Sequence, residues 1–353
     1  MHILITGICG FAGSSIARGL LERLPGLRIT GIDNLIRKGS QMNLNSLRSL
    51  GISVHVGDIR NESDLAALPA SDWLIDCAAN PSVLAGVDGS ISASELFDHN
   101  LGGTIHLLEY CRRHRCGFIL LSTSRVYSIF PLAALKLEIQ DRAFRPAPDH
   151  GVANLSMEGI TEQFSTEPPV SLYGSSKRCS ELIALEYAMT FDFPVWINRC
   201  GVLAGAGQFG KFDQGVFSYW IHSWAARRSL EYIGFDGTGC QVRDFLHPRD
   251  IVSLLIDQMN DPLRKVFPIM NISGGRGNSM SLAQMSDWCA ARFGNHQVTS
   301  QTTPRPFDIP WLVLDSSEAG KSWNWKPVTP LTAIFEEIAR HAETNPHWLS
   351  LVS

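Results

Sequence analysis

Short apolar runs alternate with segments of helical spacing through the N-terminal half of the chain. His2-Ile3-Leu4-Ile5 reads as a buried strand, and Ser14 to Leu24 as an amphipathic helix behind it. Arg28-Ile29-Thr30-Gly31-Ile32, ending at Asp33, and Ser53-Val54-His55-Val56 are further strands. A helix is predicted near Ser63 to Leu68, a strand over Trp73 to Ala79, a helix over Ser92 to Cys111 and a strand over Gly117 to Thr123. Then a loop-rich stretch with many prolines, roughly 128–169, breaks the rhythm. Loops this long in compact domains are usually functional. A helix near Tyr173 to Phe191 and a strand over Pro194 to Arg199 resume the pattern. Repeated strand–helix units predict an α/β fold with a doubly wound parallel sheet.

Three glycines sit where the first strand turns into the first helix: Gly7, Gly10 and Gly13. Gly7 permits the tight turn, Gly10 lets backbone approach a pyrophosphate, and Gly13 lets the helix lie close on the sheet. Free N–H groups at the helix start then face the negative charge. This predicts a Rossmann-type dinucleotide site. Asp33, at the end of the second strand, is placed to accept the adenosine ribose hydroxyls, and its charge disfavours a 2′-phosphate. The cofactor expected is therefore NAD, with Arg37 and Lys38 near enough to offset part of that repulsion. Asp58, after the third strand, either takes the adenine amino group or caps the next helix.

Composition narrows the class. The 353 residues suggest two domains at ~150 residues each. A net charge of −4 argues against nucleic acid or an anionic membrane as partner. No apolar run reaches the ~18 residues of a membrane span, and a strand starting at residue two leaves no room for a signal peptide. The eight cysteines are scattered, without a Cys-x-x-Cys pair or a nearby His cluster. They read as reduced thiols of a cytoplasmic protein, with no metal site.

Tyr173-Gly174-Ser175-Ser176-Lys177 puts a phenol and an ammonium four apart, on one helix face. Bringing a phenol from ~10 to near 7 takes about 4 kcal/mol. One ammonium ~4 Å away supplies about that much at an effective dielectric near 20. Tyr173 assisted by Lys177 is thus a candidate general base.

With these motifs the chain resembles the extended short-chain dehydrogenase/reductases, in particular the nucleotide-sugar epimerases and dehydratases. The likeness covers essentially the full length. It includes the glycine motif, Asp33-Asn34-Leu35, Gly57-Asp58-Ile59-Arg60, Asn100-x-x-Gly103-Thr104, Ser122-Thr123-Ser124, Tyr173-x-x-x-Lys177, Arg243-Asp244-Phe245-x-His247 and Asn271-Ile272-Ser273-Gly274-Gly275. The resemblance implies that Thr123 shares the catalytic proton with Tyr173, and that Lys177 also holds the nicotinamide ribose. It implies further cofactor contacts from Phe11, Ala12, Asn34, Ile59, Ala78, Ala79, Asn100, Ser122 and Arg199. Family dehydratases carry Asp-Glu after the hydroxyl, where this chain has Ser124-Arg125. Arginine is no base at any working pH, so the likeness narrows to the epimerases, which oxidise a sugar hydroxyl to a ketone and reduce it again.

Among epimerases the chain most resembles those that interconvert CDP-paratose and CDP-tyvelose at C2. The features are Ala78-Ala79-Asn80-Pro81-Ser82, Gly207-Gln208-Phe209, Asp213-Gln214-Gly215 and the long gap between Thr123 and Tyr173. Asn80 replaces the usual Gln, Ser128 the usual Gly and Leu172 the usual Pro. The expected ligand is a nucleotide sugar, a CDP-linked deoxyhexose, held by Asn80, Ser82, Ser124, Gln208, Gln214, Arg243 and Arg305 against Val202, Leu203 and Phe209. Arg305 reads equally as a surface residue. A UDP-hexose 4-epimerase, a net dehydrogenase or reductase, and a non-catalytic NAD-sensing protein are the alternatives. The NAD-binding domain is expected over 1–204 with 241–275, and a smaller, discontinuous substrate domain over 205–240 with 276–353. The resemblance also implies a homodimer through the helices at 92–111 and 173–190.

Overall fold

A computed structural model describes residues 1–211 and 214–352; Asp213 lies outside the described residues. The chain runs β1 (His2–Thr6), α1 (Phe11–Arg23), β2 (Arg28–Asp33), α2 (Ser40–Ser49), β3 (Ser53–Val56), α3 (Glu62–Ala66) and β4 (Trp73–Asp76). It continues through α4 (Ala93–Phe97), α5 (Gly103–His114), β5 (Gly117–Thr123), α6 (Ile129–Ala133), β6 (Leu137–Gln140), β7 (Ala143–Pro146), β8 (Leu155–Ser156) and β9 (Gly159–Ile160). Then come α7 (Ser171–Phe191), β10 (Val195–Cys200), β11 (Val202–Leu203), α8 (Val216–Ala225), β12 (Leu230–Ile233), β13 (Val242–Leu246) and α9 (Pro248–Asn260). The last elements are β14 (Ile269–Ile272), β15 (Ser279–Ser281), α10 (Leu282–Phe293), β16 (Val298–Gln301), β17 (Trp311–Leu312), α11 (Ser317–Trp323), α12 (Leu331–Thr344) and α13 (Trp348–Val352).

Seven strands pair in parallel in the order β14-β10-β5-β4-β1-β2-β3. One face packs on α1, α9 and α11 through Ile16, Leu20, Ile251, Leu255 and Trp323. The other packs on α5 and α7 through Leu107, Leu108, Cys111 and Ala184. The strand order reverses between β1 and β4, so a crevice opens at their carboxyl ends, where such sheets bind ligands. A separate apolar cluster joins α8, α10 and α12. No helix among the described residues is long and apolar enough to cross a membrane.

Three expectations are corrected in detail. The strand over Trp73 to Ala79 ends at Asp76, because the Thr6 hydroxyl accepts the N–H groups of Cys77 and Ala78, each at 3.2 Å, and turns the backbone out of the sheet. The helix over Ser92 to Cys111 is interrupted by a π-helical turn, Asp98–Gly102. The stretch 128–169 is not merely loop: β6 and β7 form a hairpin, β8 and β9 another, and the Phe144 N–H donates to the Cys240 carbonyl at 2.8 Å. Those strands are two to four residues long, too short for a period to register. Helix α2 was not anticipated; of its ten residues only Ser40 and Leu47 are buried, so it has no apolar stripe.

Helices α8 and α12 meet at a histidine pair. His222 Nδ1 donates to the Ser218 carbonyl at 2.8 Å, and Nε2 accepts from His341 Nδ1 at 3.0 Å. Burial pushes the His222 pKa down from 6.5 to about 4. Between those values the unfolded chain binds the extra proton, so stability falls as the pH falls through that window. The loss approaches about 3 kcal/mol. Urea midpoints measured from pH 7 down to pH 4 should show it, and His222→Gln should flatten the slope.

Candidate active site

A cavity of about 860 Å³ occupies the crevice, bounded by the carboxyl ends of the central strands and by Val202, Gln208, Gln214, Gln241, Arg243 and Phe307. Its floor is the glycine turn. Gly7 has φ +58°, and a Cβ there would lie 2.9 Å from Ala78 Cα. A Cβ on Gly13 would lie 2.4 Å from the Gly7 carbonyl oxygen. Only a backbone bare of side chains fits here, which leaves room for a diphosphate against the start of α1. Phe11 and Ala12 complete that floor.

Asp33 lines the cavity at the end of β2, and its carboxylate accepts the N–H groups of Cys9 and Leu35, both at 2.9 Å. Burial raises its pKa, and those N–H groups oppose the rise. Asp58, Ile59 and Asn34 stand beside it. The Asp58 carboxylate accepts from Arg60 at 2.8 Å and Asn34 at 2.9 Å, and the Arg60 guanidinium holds it well below the usual carboxylate range. Asp58 does not cap the next helix, whose N-cap is Asn61. Arg37 lines the cavity and reaches across it, donating to Gln214 Oε1 at 2.9 Å and to the Phe209 carbonyl. These residues fit the adenosine half of NAD.

At the other end, Thr123, Tyr173 and Lys177 line the same cavity, with Ala78, Ala79 and Ser122 beside them. Tyr173 and Lys177 lie on the first turns of α7, both buried. Burial pushes the Tyr173 phenol up to about 12; a hydrogen bond with Thr123 and the charge of Arg125 pull the other way. The Lys177 ammonium faces Asp76, Cys77 and Cys200. Lys177 and a bound nicotinamide were expected to lower Tyr173; within the protein the groups that oppose its burial are Thr123 and Arg125.

Of the expected sugar-nucleotide contacts, Asn80, Ser124, Gln208, Gln214, Arg243 and Arg305 line the cavity, with Val202, Leu203 and Phe209 as apolar wall. Arg243 pairs with Asp308 at 3.3 Å. Gln208 and Gln241 each keep a buried amide oxygen without a hydrogen-bond partner, open to a ligand's donor.

Three expected residues lie off the cavity. Arg199 is turned to the other side of β10, where Glu181 takes its guanidinium through Nε at 3.0 Å and Nη2 at 2.7 Å. It is a structural cation, and Glu181 also accepts from Ser122 at 2.6 Å. Asn100, in the π-helical turn, accepts from the Asn80 N–H at 2.8 Å and donates to Ser176 at 2.9 Å. It shapes the Asn80 loop from behind. Ser82 is buried in that loop, where its hydroxyl accepts from the Leu84 N–H at 3.2 Å. Gln241, Phe307 and Asp308 line the cavity without having been anticipated; an acid three residues after the expected cation Arg305 was the available signal.

Residues 3–272 match the NAD dependent epimerase/dehydratase family. The chain is 30% identical over 348 residues to CDP-paratose 2-epimerase from Salmonella typhi, covering 93% of this chain and 95% of that one. It is 25% identical over 335 residues to UDP-glucuronate 4-epimerase from Thermodesulfobacterium geofontis (strain OPF15), covering 92% and 91%. Its fold superposes on UDP-glucose 4-epimerase from Bifidobacterium longum, solved with NAD+ and UDP, with a TM-score of 0.79 at 21% identity, over 99% of this chain and 100% of that one. A glycine cradle for a diphosphate, a tyrosine–lysine pair in the same cavity and a family match over most of the length agree, and the chain belongs to the NAD dependent epimerase/dehydratase family as an NAD-using enzyme.

Proposed function

We propose that the protein inverts C2 of a CDP-linked dideoxyhexose, CDP-paratose to CDP-tyvelose or a near relative, by way of a keto sugar. The observation that carries this is the 30% identity to a CDP-paratose 2-epimerase over nearly the whole of both chains. The residues after Thr123 support it, since Ser124-Arg125 offers no acid–base pair for dehydration.

Bound NAD supplies the hydride acceptor and donor. Tyr173 removes the proton from the sugar hydroxyl, Thr123 shares it, and Tyr173 returns it after the planar keto sugar has turned over. Lys177 holds the nicotinamide ribose. Arg243 and Arg305 bind the diphosphate, the guanidinium being suited to paired phosphate oxygens. A deoxygenated sugar suits the apolar wall of Val202, Leu203 and Phe209. The sugar nucleotide is assigned to a lobe built from 205–240 and 276–353, apart from Ser317–Trp323, which pack on the central sheet.

The test is incubation with CDP-paratose in deuterium oxide, followed by NMR. Inversion at C2 with no deuterium at C2 is expected, because the hydrogen returns directly. Deuterium at C2 means proton abstraction from carbon and defeats the mechanism. A second reading, 4-epimerisation of a UDP-hexose, is favoured by the 25% likeness to UDP-glucuronate 4-epimerase. It prevails if CDP-paratose is inert and a UDP-hexose is inverted at C4.

A further inference from the structure

Arg125 enters the sequence argument only as a reason against dehydration; its surroundings give it a task. It lies in a 3₁₀ turn, Ser124–Val126, and its N–H donates to the Thr123 hydroxyl at 3.2 Å. Helix α7 packs straight onto this turn. A Cβ on Gly174, the residue after Tyr173, would come 2.3 Å from the Arg125 carbonyl oxygen. The guanidinium lines the cavity and donates to the Phe307 carbonyl at 2.7 Å. Among the described residues no carboxylate forms an ion pair with it, Asp308 being paired with Arg243. Burial first, then Arg243 and Arg305, push its pKa down to about 10, while the charges of Asp308 and Tyr173 pull it up, so it is still charged at neutral pH.

A desolvated cation whose one nearby carboxylate, Asp308, is already bonded to Arg243 is costly unless it has a further anion to serve. The ionisable and polar groups that face the Tyr173 phenol are Thr123 from β5, Cys200 from β10 and Arg125 from the turn. Lys177 lies one helical turn along, and part of its field falls on Asp76, a fully buried carboxylate at the end of β4. Asp76 already accepts from Thr6 at 2.6 Å and keeps Oδ2 unpartnered.

We propose that Arg125 is the positioning cation that keeps Tyr173 ready to take a proton, standing without a carboxylate partner in the cavity wall against the first turn of α7. This rests on the reading of Tyr173 as the base. It requires no step beyond that reaction: the guanidinium stabilises the phenolate that Tyr173 becomes before it accepts the hydroxyl proton, and itself exchanges none.

The experiment titrates tyrosinate absorbance in the NAD-loaded enzyme without sugar, with the Tyr173→Phe enzyme as baseline to isolate the one phenol. Arg125→Met should move the Tyr173 titration upward by about one pH unit. The acid limb of the kcat profile should move by the same amount, with about tenfold less turnover at neutral pH. Arg125→Lys, which restores the charge, should bring both back, and it also serves if the methionine variant folds poorly. A titration and acid limb unmoved in Arg125→Met, with the loss confined to KM, overturns the proposal and makes Arg125 a sugar contact. Because the absorbance is read without sugar, its outcome is independent of the CDP-sugar assignment. If Tyr173→Phe retains turnover, the base assignment itself has failed.

Discussion

Tyr173→Phe should lower turnover by about 10²–10⁴-fold, the usual contribution of a positioned acid–base group, while NAD binding stays within about twofold of the parent. The change removes one oxygen from a side chain that is only 7% exposed, so it leaves no space for repacking and takes away only the proton acceptor. Equilibrium titration with NAD and a turnover assay on the same preparation check both halves. A variant that keeps a tenth or more of the parent rate contradicts the assignment of Tyr173 as base.

The largest stability effect is expected at Glu181. Its side chain is fully buried on α7 and binds Arg199, Ser122 and Arg178, the last at 3.1 Å. Glu181→Leu leaves the Arg199 guanidinium buried with no carboxylate. Such a change costs about 3–5 kcal/mol. Removing both charges, Glu181→Leu with Arg199→Met, should recover most of that loss, since an apolar pair of similar volume is often as stable as a buried ion pair. Urea midpoints of the two variants and the parent decide it. If the double variant is no better than Glu181→Leu, the pair is not coupled as the geometry implies.

The inner strands of the central sheet were legible because they are buried on both faces and read as continuous apolar runs, as β5 does at the expected residues; the edge strand β3 also falls at the expected residues, although only Val54 in it is buried. The cofactor floor was legible because a glycine pattern is a statement about backbone room. What escaped was information carried by direction rather than by type. Arg199 was an expected cofactor contact and Arg125 was not, yet Arg199 is taken up by Glu181 on α7 and Arg125 lines the cavity. Residue type alone does not say whether an arginine is bonded inside the fold or lines the cavity. Asn100 belongs to a recognisable motif, but its amide is consumed by the Asn80 backbone and Ser176, contacts that depend on a π-helical turn. The short hairpins between 128 and 169 hold their place through the far part of the chain, as in the Ile160 bridge to Leu314, which no local period encodes.

The chain leaves the central sheet at Cys200 and re-enters it at Ile269. That detour has a consequence for the order in which the protein is made. Ile16, Ala17 and Leu20 of α1 share their apolar cluster with Ile251, Val252, Leu254 and Leu255 of α9, which leave the ribosome much later. At 5–20 residues per second, the stretch between β10 and the end of α9 takes roughly 3–12 s to appear. Throughout that interval five of the parallel strands and β10 exist with one face of the sheet partly bare. A fragment ending near residue 204 keeps the whole glycine turn, Tyr173 and Lys177, yet lacks the helix that covers α1 and the strand that completes the sheet edge. The cofactor lobe therefore needs chain as far as β14 and is not a module that matures when β10 is made.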